Sequence, residues 1–479
     1  MTEAHVLRAL LRQSLGAFGE KTFNTLEPGT TFKPSWVHDH LGWAISRILS
    51  GERRRLIINV PPRSGKSNLT SVSLPLYVLG HDPTRRIICV SHTEDLARKF
   101  SIDRRTVAQS AWYQKTFPAM RLASKRPRDL ELVTTQRGSC RAAGVGGSIL
   151  GLGADLIIID DPMKATDALS KAERRRVAEF YDNTLVTRLN DKQTGAIILI
   201  MQRLHEEDLV GHVLERDDWD VVALPAIAIE DTTHQLSQDP NDLHTRHKGE
   251  VLHPEREPRH VLEQIRRAQG SLTFEAQYQQ TPAPAGGNII QRKWLRYYEE
   301  NDEELEFELI VTSWDTASTL GENSDWSVGT VWGSIGFDFY LLDLVREQVE
   351  APALRRIIEQ LSLQWRADAT VIEDTELGRA MTQDLRQTGR IRPILNRPKF
   401  DKEARLVAQA TRFETGQVYL PTKAPWLATY ESELLAFPNG RHDDQVDSTS
   451  QALLWLTARM AARQPMKRRN PIRRNIERA

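Results

Sequence analysis

The sequence predicts two α/β domains in series. Short runs rich in Ile, Leu and Val alternate with helical patterns through the first half, and such near-continuous apolar content suits a parallel sheet covered on both faces. A proline/glycine stretch, "TPAPAGG" at 281–287, then interrupts the chain as a linker does. Beyond it a second set of apolar runs begins, several of them ending in acidic residues. The length, 479 residues, also exceeds one ordinary core. The expected division is a first domain over 1–280 with an N-terminal helical segment, a linker over 281–290, a second domain over 291–460 and a basic tail over 461–479.

In the first domain, strands are expected at 54–60 ("RRLIINV"), 85–91 ("RRIICVS"), 130–135 ("LELVTT"), 154–160 ("ADLIIID"), 194–201 ("TGAIILIM") and 219–225 ("WDVVALP"). Between the second and third, "SHTEDLARKFSIDRRTVAQS" has the apolar spacing of a helix. Residues 228–260 turn polar and rich in His, Asp and Pro, which reads as an extended loop leading to a short helix around "SLTFEAQYQQ". In the second domain the strands are "ELIVTSWDTA", "WSVGTVWGSI", "DFYLLDLVRE" and "ATVIEDT", followed by a helix at "DDQVDSTSQALLWLTARM".

Composition excludes little. Basic and acidic residues number 64 each, so any nucleic-acid surface must be local. The only cysteines are Cys89 and Cys140, which argues against disulfides and cysteine-rich zinc sites; Cys89, in an apolar run, is expected to be a buried small hydrophobe. The amphipathic N-terminus lacks the apolar core of a signal peptide or membrane span, which points to the cytoplasm.

Two constellations carry chemistry. "LIINVPPRSGKS" at 56–67 places Gly65, Lys66 and Ser67 after a strand, although Val60 stands where a phosphate loop has its first glycine. There Arg63, Ser64 and Gly65 would form the loop, Lys66 would neutralise phosphate, and Ser67 would hold Mg²⁺. "LIIIDDP" adds Asp160 as a second Mg²⁺ contact and Asp161 as a group to orient attacking water. "AIILIMQRLHEEDL" ends a strand in Gln202 and Arg203, placed to sense the γ-phosphate. Upstream, Trp36 and His38 either stack adenine or pack in the core. In order and each at a strand end, these signals imply hydrolysis of a nucleoside triphosphate.

The second constellation is acidic. Asp315 follows "LIVTSW", Glu373 and Asp374 follow "ATVI", and Asp443, Asp444 and Asp447 open the last helix. Acids from two strands and a helix, converging on a sheet edge, can hold two metal ions for phosphodiester hydrolysis. Their order resembles a ribonuclease-H-like nuclease core. Asp325 is either an accessory ligand or a turn residue. For the helix acids the alternative is an N-cap, where Asp is common.

Together "PPRSGKS", "RAAGVGGSILGLGADLIIIDDP", "LVTRLN", "LIMQRLHEEDL", "WDTAS", "VIEDTELG" and "RHDDQVDS" make the chain similar to the large terminase subunits of tailed bacteriophages, from about Phe32 to Leu456. The resemblance implies an ASCE-type P-loop ATPase joined to a ribonuclease-H-like endonuclease, with ATP, Mg²⁺ and, in the nuclease, Mn²⁺ as an alternative. It implies a motor that moves double-stranded DNA into a procapsid and cuts concatemers. Carried over by position, Lys66, Ser67 and Asp160 serve ATP and Mg²⁺, while Asp315, Glu373 and Asp444 are the nuclease acids with Asp443 beside them. Asp161 stands where many relatives have glutamate. The arginine acting in trans stays open among Arg63, Arg137, Arg141 and Arg188. The implied partners are a portal protein, a small terminase subunit and further copies in a ring, expected to be pentameric, in the cytoplasm of the infected host. The basic run Lys467-Arg468-Arg469 with Arg473-Arg474 is either a DNA contact or a solubilising or portal-docking tail. Competing readings are a helicase–nuclease, a restriction-type translocase and a nucleotide-gated scaffold without enzymatic activity.

Overall fold

The computed structural model describes residues 3–123, 129–282, 288–299, 305–316, 326–398, 400–440 and 442–463. Asp325, the basic run at 467–474 and the centre of the expected linker, 283–287, lie outside them. The chain forms two compact units, Met1–Ala285 and Gly286–Ala479.

The first unit is built on a seven-stranded sheet in the order β3-β4-β2-β5-β6-β1-β7. Its strands are β1 (Arg55–Asn59), β2 (Arg86–Ser91), β3 (Glu131–Val133), β4 (Ser139–Gly144), β5 (Leu156–Asp160), β6 (Ala196–Met201) and β7 (Asp220–Ala223). All pairings are parallel except β3 with β4. Every residue of β5 and β6 is buried. Alternate side chains feed two cores: Ile58, Ile158 and Ile198 on one face, Ile57, Ile157 and Ile197 on the other. Burial on both faces explains why these strands read as unbroken apolar runs. Cys89 is buried as expected, its Sγ 3.6 Å from that of Cys140.

Strand β6 lies between β1 and β5. The loop after β1 therefore faces the ends of both, and that insertion creates the first site. The loop runs into a π-helical turn, Asn68–Ser73, which continues as the α-helix Leu74–His81. Residues expected as an extended loop instead contain a hairpin, β8 (Thr232–Gln235) with β9 (Leu243–Arg246). Its polar sequence hid it, because the hairpin covers a helix rather than the central core.

The second unit holds another seven-stranded sheet, ordered β10-β16-β13-β12-β11-β14-β15. Its strands are β10 (Arg296–Tyr298), β11 (Leu309–Asp315), β12 (Ser327–Ile335), β13 (Asp338–Glu347), β14 (Ala369–Glu373), β15 (Pro393–Asn396) and β16 (Val418–Pro421). An antiparallel meander, β11 to β13, is extended by β14 and β15, which run parallel to β11. This is the ribonuclease-H-like order expected from the acids. The terminal helix Asp444–Arg463 is pinned to β11 by buried polar side chains. Ser448 Oγ donates to Ser313 O at 2.7 Å, and Gln451 Nε2 donates to Ser313 Oγ at 3.0 Å.

Trp314, next to Asp315, is fully buried and lies over Gly329 of β12; a Cβ at 329 would come within 2.5 Å of its ring. Gly329→Ala is expected to push Trp314 aside, lowering stability by about 1–3 kcal/mol. Thermal denaturation of the variant checks this.

Candidate functional site

In the first unit, the turn after β1 bends through left-handed backbone at Arg63 (φ 58°) and Gly65 (φ 81°). At Gly65 a side chain would meet His38 Nε2 at 3.1 Å, so glycine is kept both for its φ and for the close approach. Lys66 is only 4% exposed, and its ammonium donates to Asp161 Oδ1 at 2.9 Å and Gln202 Oε1 at 2.6 Å. Asp161 reaches Lys66 from a left-handed position (φ 43°) fixed by its N–H on Ile200 O, and such strain is concentrated at functional sites. Asp160, buried at the end of β5, accepts from Ser67 Oγ at 3.2 Å and from Ser71 Oγ at 2.6 Å. Burial, then the charge of Asp161, pushes the Asp160 carboxyl up to about 6 against the hydrogen bonds from the two serines.

Lys66, Ser67, Asp160, Asp161 and Gln202 are thus brought together. Ser64 Oγ is buried in the loop without a hydrogen-bond partner. A cationic side chain, an unmet loop donor and a carboxylate–hydroxyl pair fit a phosphate with its Mg²⁺. Arg203 is not in this group: its guanidinium is held by Asp208 at 3.0 Å, and its backbone N–H donates to Gln280 Oε1 at 3.0 Å. The Trp36 ring is stacked on His244 of the hairpin, with centroids 4.4 Å apart, which is the packing alternative to an adenine platform.

Ser71 was not anticipated. It sits in the π-helical turn, and π-bulges occur often at functional sites. Its carbonyl accepts from the fully buried Arg104, on the helix Glu94–Gln109. The only sequence signal for it was a serine one turn beyond Ser67.

In the second unit, β11 and β14 deliver Asp315 and Glu373 to the same sheet edge, and the last helix presents Asp444 and Asp447, with Asp443 just before its start. Burial raises the Asp315 carboxyl well above its usual range, aided most by Asp447 and then Glu373. Asp447 is fully buried, and burial pushes it up to about 6 although Arg405 and Lys402 oppose the shift. Both cations come from the helix Lys402–Glu414. Lys402 Nζ lies 2.7 Å from Asp443 and 2.6 Å from Asp447, and Arg405 lies 2.8 Å from Asp447 and 3.4 Å from Glu373. Asp374 is turned aside to Arg379.

The expected acid-only group of Asp315, Glu373, Asp443 and Asp444 is therefore a mixed cluster. Among the described residues no three His, Cys, Asp or Glu side chains converge as a ready metal cage; Lys402 bridges Asp443 and Asp447, and Arg405 bridges Asp447 and Glu373. The donor set still suits a hard divalent cation: carboxylate oxygens outnumber the cations that share them. Lys402 and Arg405 carried no motif, and their role is legible only from the fold.

A family model described as "Terminase large subunit, T4likevirus-type, N-terminal" matches residues 57–297. The chain belongs to the terminase large-subunit family. A second model, "Terminase RNaseH-like domain", matches residues 312–456 of this terminase. It is an ATPase and a nuclease of phage DNA packaging, and nothing in these matches favours a helicase–nuclease or a restriction-type translocase. Among solved structures it is similar to the large terminase of a thermophilic bacteriophage, with 12% identity, 88% of this chain and 98% of that chain covered, and a TM-score of 0.47. The HK97 bacteriophage large terminase gives 12% identity, 91% and 99% coverage, and a TM-score of 0.36. The nuclease domain of the human cytomegalovirus terminase gives 16%, 36%, 98% and 0.29 in the same order. No curated protein matches the chain. Among the described residues no helix is long and apolar enough to cross a membrane.

Ser71→Ala is expected to raise the Mg²⁺ concentration needed for half-maximal ATP hydrolysis roughly 10–100-fold, the usual cost of freeing a ligand from its orienting partner, with Ser71→Thr restoring much of it. Steady-state ATPase rates across a Mg²⁺ series measure this. Arg405→Ala leaves Asp447 and Glu373 without their shared cation and is expected to cost about 3–5 kcal/mol. Its melting temperature should drop and recover in part when Mg²⁺ or Mn²⁺ is added.

Proposed function

We propose that Lys66, Ser67 and Asp160 hold Mg²⁺–ATP in the first unit, and that Asp315, Glu373, Asp444 and Asp447 form the cutting centre of the second, with Asp443 beside them. The observation that carries this is the presence of a separate, internally compensated carboxylate cluster in each unit. In the ATPase, the loop Arg63–Ser67 aims backbone N–H groups at the phosphates. Lys66 leaves Asp161 and Gln202 to neutralise phosphate charge, which frees the Asp161 carboxylate to orient water. Gln202 then reports phosphate occupancy to the segment around Arg203 and Gln280. Arg63, exposed beside the loop, is one candidate for action on a neighbouring copy, with Arg137, Arg141 and Arg188 the others.

In the nuclease, Mg²⁺ or Mn²⁺ would activate water and stabilise the leaving oxygen. The chain's own contribution is to hold carboxylates at one edge and to place Lys402 and Arg405 where they balance charge between loading events. The domain limits 1–280, 281–290, 291–460 and 461–479 are part of this proposal; the division at Ala285/Gly286 supports them. So are the packaging partners: double-stranded DNA, a portal protein, a small terminase subunit and a pentameric ring of this chain on the procapsid, within the host cytoplasm.

Lys66→Ala is expected to abolish ATP hydrolysis and keep plasmid cleavage, and Asp315→Ala to do the reverse. Both activities are measured on the full chain with Mg²⁺ and with Mn²⁺. Normal ATPase activity in Lys66→Ala would sink the phosphate-loop assignment; cleavage by Asp315→Ala would sink the nuclease assignment.

A further inference from the structure

The helix that follows Glu373 carries a feature that neither site uses. It spans Glu376–Thr388 and leads to β15, the free edge strand of the second sheet. Between helix and strand runs a groove of about 520 Å³, lined by Arg379, Thr382, Gln383, Arg386, Gln387 and Leu395. The residues at positions 379, 383 and 386 recur at helical spacing along one face, and seven residues of helix advance about 10 Å, three base steps of roughly 3.4 Å.

Charge around the groove is one-sided. Between 376 and 397 the chain has Arg379, Arg386, Arg390, Arg392 and Arg397 against Glu376 and Asp384. Arg379 is paired with Asp374, and Arg390 lies 3.7 Å from Glu359. Arg386, Arg392 and Arg397 are exposed and make no ion pair among the described residues. Thr382 adds a buried hydroxyl that has no hydrogen-bond partner. Geometry ties this surface to the cutting centre at two points. Arg379 holds the residue after Glu373, and Asn396, which pairs with Glu373 across the sheet, immediately precedes Arg397. Pro393 at the start of the edge strand discourages addition of a further β-strand.

We infer that this groove is a track for the DNA backbone, in which Arg386 within the groove, and Arg392 and Arg397 flanking the two ends of β15, contact phosphates and lead the strand to the carboxylate cluster. The inference rests on the nuclease reading for its substrate, duplex DNA. The contacts are to phosphate, so they carry affinity and direction but no sequence preference. Arg379 has a linking role: it is the residue through which an occupied track meets Asp374, the neighbour of Glu373.

The test uses the full chain carrying Asp315→Ala, so that bound DNA is left whole, and a short fluorescent duplex titrated by anisotropy over a salt series. Adding Arg386→Gln and Arg397→Gln together is expected to weaken binding by roughly tenfold or more near 0.1 M salt, and to make log K against log salt shallower by roughly one unit for each arginine. Arg386→Lys with Arg397→Lys should restore most of both, because a phosphate contact needs charge more than a fork of donors. Unchanged affinity and slope, or a loss that lysine does not rescue, overturns the track. So does intact DNA binding combined with loss of procapsid-stimulated ATPase, which would assign the surface to a protein partner. Plasmid cleavage by the wild type separates the two claims: if it never cuts while the glutamine pair still loses DNA, the nuclease reading fails and the track stands.

Discussion

Carboxylates held at the C-terminal ends of buried strands must be balanced, and both units are organised around that requirement. Asp160 terminates β5 at 1% exposure, and Asp315 terminates β11 beside the fully buried Asp447. Isolated ionised carboxylates in such places are costly. Each unit answers with a cation brought from another element: Lys66 from the loop after β1, and Lys402 with Arg405 from a separate helix. In both units the counter-charge is carried by a flexible side chain from a separate element rather than by fixed backbone.

The two units solve the placement problem differently. In the first, a strand inserted between β1 and β5 sets the distance across which Lys66 must reach, and Gln202 at its end fills the gap. In the second, antiparallel pairing fixes β11, and the last helix is clamped against it by Ser448 and Gln451 rather than by apolar packing alone. Buried polar clamps of this kind are demanding, since each must be satisfied. In return they fix the rotation of the helix, and with it which of the three neighbouring aspartates faces Asp315.

Much of this was legible in the sequence. Strands β1, β2, β5 and β6 announced themselves as apolar runs because both their faces are covered, and the acids at their ends followed from position. Gly65, Lys66 and Ser67 were recognisable despite Val60. Strands β4 ("SCRAAG"), β10, β15 and β16 were not, being short or built of small and polar residues, and neither was the β8–β9 hairpin. Asp447 was read as a helix-start acid on a par with its neighbours, because the sequence does not reveal which turn of a helix is clamped inward. Lys402, Arg405, Ser71 and Arg104 were invisible for a related reason. Each acts through a partner distant in sequence, and spacing along one sequence gives no sign of such pairs.

Two adjacent residues at the end of β6 look in different directions. Gln202 touches the Lys66 ammonium, while the backbone N–H of Arg203 is tied to Gln280, close to where the first compact unit ends. Of the two peptide groups that flank Gln202, the C-terminal one is the peptide whose N–H donates to Gln280, so the Lys66 contact and the Gln280 contact bear on adjacent atoms of one short stretch of chain. A motor needs somewhere for chemistry to become displacement. Here the side chain that meets the loop lysine and the backbone group held from the end of the unit are one peptide bond apart.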